Sequence, residues 1–166
     1  HDIFYKRLND NWTDLYEAYD DFIQNEIVPL VDEKFHYQYL PSFRIQLPYD
    51  NQAIHTWHYD SDQLHGHPIG EINFWLPLTK CYDTNTMWVE SEQFKLDFKS
   101  LDGNYGDFWS TNANVCMHGN KPNITNITRM SFDFRVIPLS KYDESNESKS
   151  VSKSNKFVVG SYYKEL

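Results

Sequence analysis

Apolar residues recur at helical spacing near the start of the chain and alternate with polar residues through most of the remaining sequence. Between residues 13 and 28, large apolar side chains lie three or four positions apart, with acidic residues between them: Leu15, Tyr19, Phe22, Ile23 and Ile27. This spacing predicts an amphipathic helix that packs on the outside of a sheet. Pro29 is expected to break the helix because it cannot donate the next backbone hydrogen bond.

From residue 38 the apolar period changes to two, which is the period of a half-buried β-strand. The strongest alternation lies in the sequences EINFWLPL and TRMSFDFRVI. Short strands separated by turn-rich stretches favour a sandwich or a jelly roll over a βαβ fold. The expected strands cover residues 43–47, 53–59, 71–78, 86–90, 107–110, 115–118 and 128–137.

The length and composition fit one domain over residues 1–166, with 40% hydrophobic and 17% aromatic residues to build a core. Residues 143–156 contain one hydrophobic residue, Val151, which predicts a mobile polar loop within that domain. Residues 157–163 are apolar again, so the end of the chain is expected to dock on the core. Trp57, Trp88 and Trp109 are also expected in the core rather than as platforms for a substrate.

A net charge of -9 disfavours nucleic acid and anionic membranes as partners, because both are negatively charged. No apolar run approaches the roughly 18 residues that a membrane span needs. Cys81 and Cys116 show no disulfide spacing, so both are expected to be free thiols in a reducing, cytoplasmic compartment. A small molecule is therefore the expected partner, and the sequence leaves the oligomeric state open.

Two residue types that bind metals lie two positions apart in one predicted strand. His58 and Asp60, in the sequence HYD, share one strand face. His118 follows 58 residues after Asp60, where a strand is expected to end in a turn. Two histidines and one carboxylate form a facial triad suited to iron(II), although a hydrolytic zinc site accepts the same three ligands. The triad alone predicts a metal site without fixing the reaction.

A candidate anion-binding group follows 11 residues after His118. Arg129 and Ser131 share one face of a predicted strand with Asp133 and Arg135. A dicarboxylic 2-oxo acid needs a fixed cation, and arginine binds a carboxylate through two parallel hydrogen bonds, which a neighbouring hydroxyl supplements. Arg135 is a rival for this role, and an ion pair with Asp133 or Glu71 is the alternative interpretation of Arg129.

The sequence HYD at 58–60, His118 and the sequence RMS at 129–131 together resemble the His-x-Asp…His…Arg-x-Ser signature of iron(II)/2-oxoglutarate-dependent oxygenases. Across residues 40–163, stretches such as GEINFWLPLT, HGNKPN and TRMSFDFRVIPLSKY look like the oxygenase-like family named after a streptomycin biosynthesis protein. That family is related to the phytanoyl-CoA hydroxylase group. The resemblance implies a mainly β, cupin-like double-stranded β-helix, or jelly roll, with the N-terminal helix packed outside it.

The resemblance also implies the cofactors and the reaction. Fe(2+) is expected on His58, Asp60 and His118, with 2-oxoglutarate held by Arg129 and Ser131. With O2, this set is expected to hydroxylate a small polar metabolite and to release succinate and CO2. Because the carboxylate of the triad is present, hydroxylation or desaturation is favoured over halogenation.

Further side chains are weaker candidates for the same site. Gln46 lies on a strand before the HYD sequence and is a candidate 2-oxoglutarate contact. Asn73 and Trp75 lie on the polar face of the next strand and are candidates to line the pocket, and Asn73 is also a candidate 2-oxoglutarate contact. The sequence His65-Gly66-His67 is interpreted as part of a flexible lid loop, with substrate contact as the minority interpretation.

Two other functions stay open at this stage. A cupin-like isomerase or hydrolase would use the same triad without 2-oxoglutarate. A non-catalytic jelly-roll binding domain would need neither metal nor co-substrate. The Arg-x-Ser spacing separates the oxygenase hypothesis from both.

Overall fold

The computed structural model describes residues 1–49, 56–150 and 154–166. Within these residues, helical elements come first, and strands follow. The helices are α1 (Asp2–Asn9) and α2 (Thr13–Phe22), continued by a π-helical turn (Ile23–Ile27) and a 3₁₀ turn (Val28–Leu30), with a second 3₁₀ turn at Asp83–Asn85. The strands are β1 (Phe35–Gln38), β2 (Ser42–Gln46), β3 (Ile72–Pro77), β4 (Met87–Val89), β5 (Lys99–Ser100), β6 (Trp109–Thr111), β7 (His118–Asn120), β8 (Arg129–Pro138) and β9 (Tyr163–Glu165).

The strands form two antiparallel sheets. The larger sheet has the order β6-β3-β8-β1-β9, with β2 also paired to β8, and the smaller sheet has the order β5-β4-β7. Strand β8 is central because β3 pairs with it on one edge, while β2 and then β1 pair with it on the other. The fold is therefore mainly β with few helices, as the alternating pattern predicted.

Alternate residues of β8 build the two faces of the larger sheet. Phe134 and Val136 are buried on the outer face, where α2 and the following turn cover them with Tyr19, Ile23 and Ile27. The ring of Phe134 also stacks on Phe74 of β3 at a centroid distance of 5.1 Å. The prediction of a helix packed outside the sheet is confirmed, although the regular α-helix ends at Phe22 and the chain continues in wider and tighter turns.

The other face of β8 carries Arg129, Ser131, Asp133 and Arg135, which have partners at the same level on the neighbouring strands. Gln46 lies opposite Arg129, and both share the inner face of the sheet. Because side chains of directly paired residues point the same way, polar groups from several strands collect on this inner face. This polar face turns toward the smaller sheet.

The predicted strand bounds hold within one or two residues for β2, β3, β4, β6 and β8. The prediction for residues 115–118 was wrong, because His118 begins β7 and a turn over residues 113–115 precedes it. The predicted strand 53–59 lies partly outside the described residues, and its visible end is a single β-bridge at His58. Strands β1, β5 and β9 and helix α1 were not predicted.

The end of the chain docks as expected. Phe157, Tyr162 and Tyr163 are buried and form a cluster with Ile137 of β8. Of the polar segment 143–156, the residues 151–153 lie outside the described part of the chain. Cys81 and Cys116 are free, as predicted, and the structure shows both in one buried core cluster. Trp57 and Trp109 are 38% and 40% exposed, so placing them in the core was wrong.

Candidate active site

A cavity of about 290 Å³ lies between the two sheets. The larger sheet contributes Asn73, Trp75, Arg129 and Arg135 to its wall, and the smaller sheet contributes His118 and its neighbours. His58 and Asp60, in the segment before β3, complete the same wall. All three predicted metal ligands and the predicted co-substrate arginine therefore line one cavity. Trp75 was correctly predicted to line it.

The backbone holds the two histidines of the triad against each other. The N–H of His58 donates to the carbonyl of His118 at 3.0 Å, and the N–H of His118 donates back at 2.8 Å. Strand β7 pairs with β4, and the antiparallel bridge adds His58 to the smaller sheet as a further one-residue partner of β7. Gly119 follows His118, and a Cβ there would lie 2.8 Å from the ring of Trp57, so a larger residue does not fit without movement.

The three predicted ligands direct one atom each toward a common point. Oδ1 of Asp60 lies 3.6 Å from Nε2 of His58 and 3.6 Å from Nε2 of His118. Each imidazole places its other nitrogen, Nδ1, near a carbonyl oxygen, that of Thr56 at 2.7 Å and that of Cys116 at 3.2 Å. An Nδ1–H that donates to a carbonyl leaves the lone pair on Nε2, which is the form that binds a metal.

These distances suit a metal ion better than direct hydrogen bonds. A separation of 3.6 Å is too long for a hydrogen bond. Ligand atoms ~2.1 Å from one ion would lie about 3 Å apart at a right angle, which a small adjustment achieves. Candidate ligand atoms of His58, Asp60 and His118 all lie within 4.8 Å of one another. The donor set of two neutral nitrogens and one carboxylate oxygen fits iron(II) or another divalent transition metal.

Asp60 is fixed through its second oxygen. Oδ2 accepts hydrogen bonds from Nδ2 of Asn73 at 2.6 Å and from Nε and Nη2 of Arg135 at 3.0 and 2.9 Å. Burial would raise the pKa of Asp60, but the charge of Arg135 and the contact with His58 outweigh it and hold that pKa well below its usual value. Burial lowers the pKa of His118 to about 4. The carboxylate of Asp60 is thus ionised and the imidazole of His118 is neutral, as metal binding requires.

Arg129 is a buried cation without a counter-ion in the described residues. It is 2% exposed, and its Nε and Nη1 atoms have no hydrogen-bond partner in the part of the chain that the structure describes. Burial lowers its pKa to about 10, which still leaves it charged at neutral pH. The ion pair with Asp133 that was one alternative does not form, because Arg44 and Arg135 bind Asp133 at 2.8 and 2.6 Å.

Two neighbours of Arg129 are also short of partners. The Oγ atom of Ser131 and the Oε1 atom of Gln46 are buried without a hydrogen bond to any described residue. Gln46 is anchored by its other end, which donates to the carbonyl of Lys121 at 2.8 Å. Unsatisfied buried polar atoms are rare in native proteins, so a group of them around an arginine indicates a site for a polar ligand.

Asn73 lines the cavity, as predicted, and its contact with the co-substrate stays a prediction. The structure adds a second role, because its Nδ2 atom donates to Oδ2 of Asp60 and so orients a predicted metal ligand. Arg135 shares that task, and sequence reasoning missed this role because it considered the residue only as a rival for the anion. The signal available was its position six residues after Arg129 on the same strand face.

The segment between Asp60 and β3 covers one side of the triad. The ring of His65 stacks on His58 at a centroid distance of 4.1 Å, and its Nδ1 atom lies 2.8 Å from Oδ1 of Asp62. The N–H of His67 donates to the carbonyl of Asp60 at 3.0 Å. Both histidines line the cavity. The predicted lid segment is therefore closely attached to the site, and it includes two oriented polar rings.

The fold and the site together define an antiparallel β protein with a buried His–Asp–His cluster that can hold a divalent metal. The chain is 32% identical over 160 residues to the streptomycin biosynthesis protein StrG of Streptomyces griseus, an alignment that covers 96% of this chain and 74% of StrG. The chain therefore belongs to the StrG family. No family model matches it.

Two solved structures share the fold at lower sequence identity. The non-heme monooxygenase ThoJ in complex with nickel matches with a TM-score of 0.56 and 18% identity, over 78% of this chain and 55% of ThoJ. ThoJ without metal matches with a TM-score of 0.56 and 16% identity, over 78% of this chain and 56% of that one. The chain thus spans just over half the length of these structures. At this identity the likeness shows a common fold alone.

In the described residues, no helix is long and apolar enough to cross a membrane.

Proposed function

We propose that this protein is an iron(II)- and 2-oxoglutarate-dependent oxygenase that hydroxylates a small polar metabolite. His58, Asp60 and His118 hold the metal, and Arg129 with Ser131 and Gln46 binds the distal carboxylate of 2-oxoglutarate. The names of the relatives agree with this proposal, since StrG is a biosynthesis protein and ThoJ a non-heme monooxygenase. The fold is proposed to be a cupin-like double-stranded β-helix, and residues 1–166 one domain.

The observation that carries the proposal is the uncompensated charge of Arg129 inside the metal-site cavity. A buried cation without a partner costs several kcal/mol of folding free energy unless an anion accompanies it. Asp60 cannot be the counter-ion of Arg129, because its Oδ1 atom faces the two imidazoles and its Oδ2 atom is bound by Arg135. A ligand with a carboxylate at one end and metal-binding oxygens at the other would satisfy both the metal and Arg129, and a 2-oxo diacid has this form.

The chain's own residues bind, orient and exclude water. When bound, iron(II) supplies the site at which O2 oxidises 2-oxoglutarate and the substrate, so that succinate, CO2 and a hydroxylated product form. Asn73 and Arg135 keep one oxygen of Asp60 directed at the metal. Trp75 gives the cavity an apolar surface, which keeps the reacting groups away from bulk water.

The test is anaerobic titration of the protein with iron(II) and then with 2-oxoglutarate. A weak visible charge-transfer band is expected when both are present, and His58→Ala should abolish it with the loss of the metal. Arg129→Met should keep the metal but weaken 2-oxoglutarate binding about 100-fold, because a bidentate charge-assisted pair contributes about 3 kcal/mol. Turnover is followed in parallel as succinate release in air.

Arg7→Met is the matched control. Arg7 lies on α1 with its guanidinium over the ring of Trp12, so its loss should leave 2-oxoglutarate affinity unchanged. Absence of the band in the iron-loaded wild type would refute co-substrate binding. Metal-dependent activity that survives Arg129→Met would favour a cupin-like isomerase or hydrolase. Failure to bind any divalent metal would leave a non-catalytic binding domain.

A further inference from the structure

A second polar cluster lies beside the triad and reaches the cavity through one residue, His67. Glu71, which is 2% exposed, binds two side chains at once. Its Oε2 atom lies 2.7 Å from Nδ1 of His67, and its Oε1 atom accepts a hydrogen bond from the hydroxyl of Tyr163. Tyr163 belongs to β9, so the end of the chain, the sheet and the lid segment meet at this one carboxylate.

The ring of His67 is held in one orientation. It packs on Phe157 at a centroid distance of 4.4 Å and edge-on against Tyr162 at 5.6 Å. Because Nδ1 is taken by Glu71, Nε2 is the remaining polar atom, and it has no hydrogen-bond partner in the part of the chain that the structure describes. The ring lines the cavity, and its main chain is bonded to Asp60. An oriented imidazole nitrogen is thus available beside the metal site.

The charged residues of the cavity are already paired, so few of them can act as a counter-ion for a charged substrate. Arg44, Asp133, Arg135 and Asp60 neutralise one another through ion pairs, and Arg129 is assigned to the co-substrate. No lysine or glutamate is among the described residues of the lining. The described lining also includes the neutral hydrogen-bonding groups of Gln38, Ser42, Ser150, Asn155, Ser161 and Tyr162, of which Tyr162 contacts the ring of His67.

We propose that His67, oriented by Glu71 and Tyr163, binds the primary substrate of this site through a hydroxyl group, and that this substrate is an uncharged polyhydroxylated molecule. The inference rests on the proposed function and deepens it by naming a substrate class and the residue that positions it. An uncharged molecule with several hydroxyls satisfies Nε2 of His67 and the amides and hydroxyls around it. A charged molecule would enter this wall without a counter-ion.

The test compares three sugars that share one ring and differ in charge. Glucose, glucosamine and glucuronate are each titrated into the zinc-loaded protein with saturating 2-oxoglutarate, at a pH where the amine is protonated. Binding is followed by saturation-transfer NMR. Glucose is expected to bind with the lowest Kd of the three. The signal of 2-oxoglutarate in the same tube reports the co-substrate site separately, so a failure of the proposed function is seen independently of the sugars.

Two variants address the role of His67. His67→Phe keeps an aromatic ring but lacks the nitrogen, and it should raise the Kd for glucose roughly three- to tenfold, the effect of one neutral hydrogen bond. His67→Gln can still form that bond and should remain within about twofold of the wild type. His36→Phe is the control, because the ring of His36 packs on Tyr142 and is not part of the cavity.

Each outcome decides the proposal. Tighter binding of glucosamine or glucuronate than of glucose, or no binding of any of the three, overturns the substrate class. An unchanged Kd in His67→Phe, or an equal loss in His67→Gln and His67→Phe, overturns the role of the histidine. The ranking of the three sugars uses the wild-type chain, so it holds even if a variant does not fold.

Discussion

Arg135 holds two buried carboxylates, and its removal should be costly in a way that depends on pH. Its guanidinium bonds Oδ2 of Asp60 and lies 2.6 Å from Oδ2 of Asp133, while its own side chain is 10% exposed. Arg135→Met preserves much of the volume and leaves both carboxylates without this cation. Breaking a buried ion pair in this way costs about 3–5 kcal/mol, a large share of the stability of a domain this size.

The pH dependence follows from the pKa shifts. Burial opposes ionisation of Asp133, but Arg44 and Arg135 lower its pKa to about 2, against 3.8 as a reference. In the wild type this group contributes about 2 kcal/mol of stability above pH 4, which is lost as the pH falls toward 2. In Arg135→Met, burial acts with less opposition and the folded pKa values of both carboxylates rise. On mild acidification these two carboxylates are protonated in the variant, which removes the cost of burying their unpaired charges. The wild type keeps them ionised at the same pH, so its free energy of unfolding does not yet change through these groups.

The measurement is urea unfolding of the metal-free protein at pH 7 and at pH 5. We expect a gap in the free energy of unfolding of about 3–5 kcal/mol at pH 7 that narrows at pH 5. Arg135→Lys should fall between the two, since it keeps the charge but loses the planar fork. A gap below about 1 kcal/mol, or one independent of pH, would refute the reasoning that this arginine compensates buried carboxylates.

Three further substitutions test other parts of the molecule. Gly119→Ala should lower stability by about 1–3 kcal/mol in thermal unfolding, since its Cβ meets the ring of Trp57; an unchanged Tm would mean that the ring moves freely. Phe134→Ala should cost about 3–5 kcal/mol in urea titration, because it is 1% exposed and stacked on Phe74; a loss under 1 kcal/mol would contradict its place in the core. Asp60→Asn should abolish the rise in Tm that zinc causes in the wild type, and an equal rise in both would remove Asp60 from the ligand set.

The sequence predicted the parts of the fold in which the spacing of residues along a strand decides the arrangement. Strand β8 alternates from Arg129 to Val136 because one face meets α2 and the other faces the cavity, so its two faces could be predicted from these eight residues. The triad was predictable for a similar reason, because the spacing of His58 and Asp60 puts both on one side of the chain. Strand β1 was missed because its four residues, FHYQ, are too few to establish a period of two.

The functional roles of the two arginines on β8 could not be separated from sequence alone. Arg129 and Arg135 lie on one face of one strand, and each is near acidic residues in the chain. Only the three-dimensional pairing shows that Asp60 and Asp133 compensate Arg135 and leave Arg129 without an anion among the described residues. The cluster of Glu71, His67 and Tyr163 was missed because Tyr163 reaches Glu71 only when the end of the chain docks.

The backbone bridge between His58 and His118 has a consequence for how the metal is acquired. Since two main-chain hydrogen bonds already set the spacing of the imidazoles, the chain orders these ligands at the moment it folds. Metal binding then costs little conformational entropy, because the two histidines are already ordered. Small zinc domains differ, since they fold only when the ion binds. The metal-free protein is expected to be folded and able to exchange one divalent metal for another. The metal bound in the cell therefore depends on the availability of each metal as much as on the affinity of the site for it.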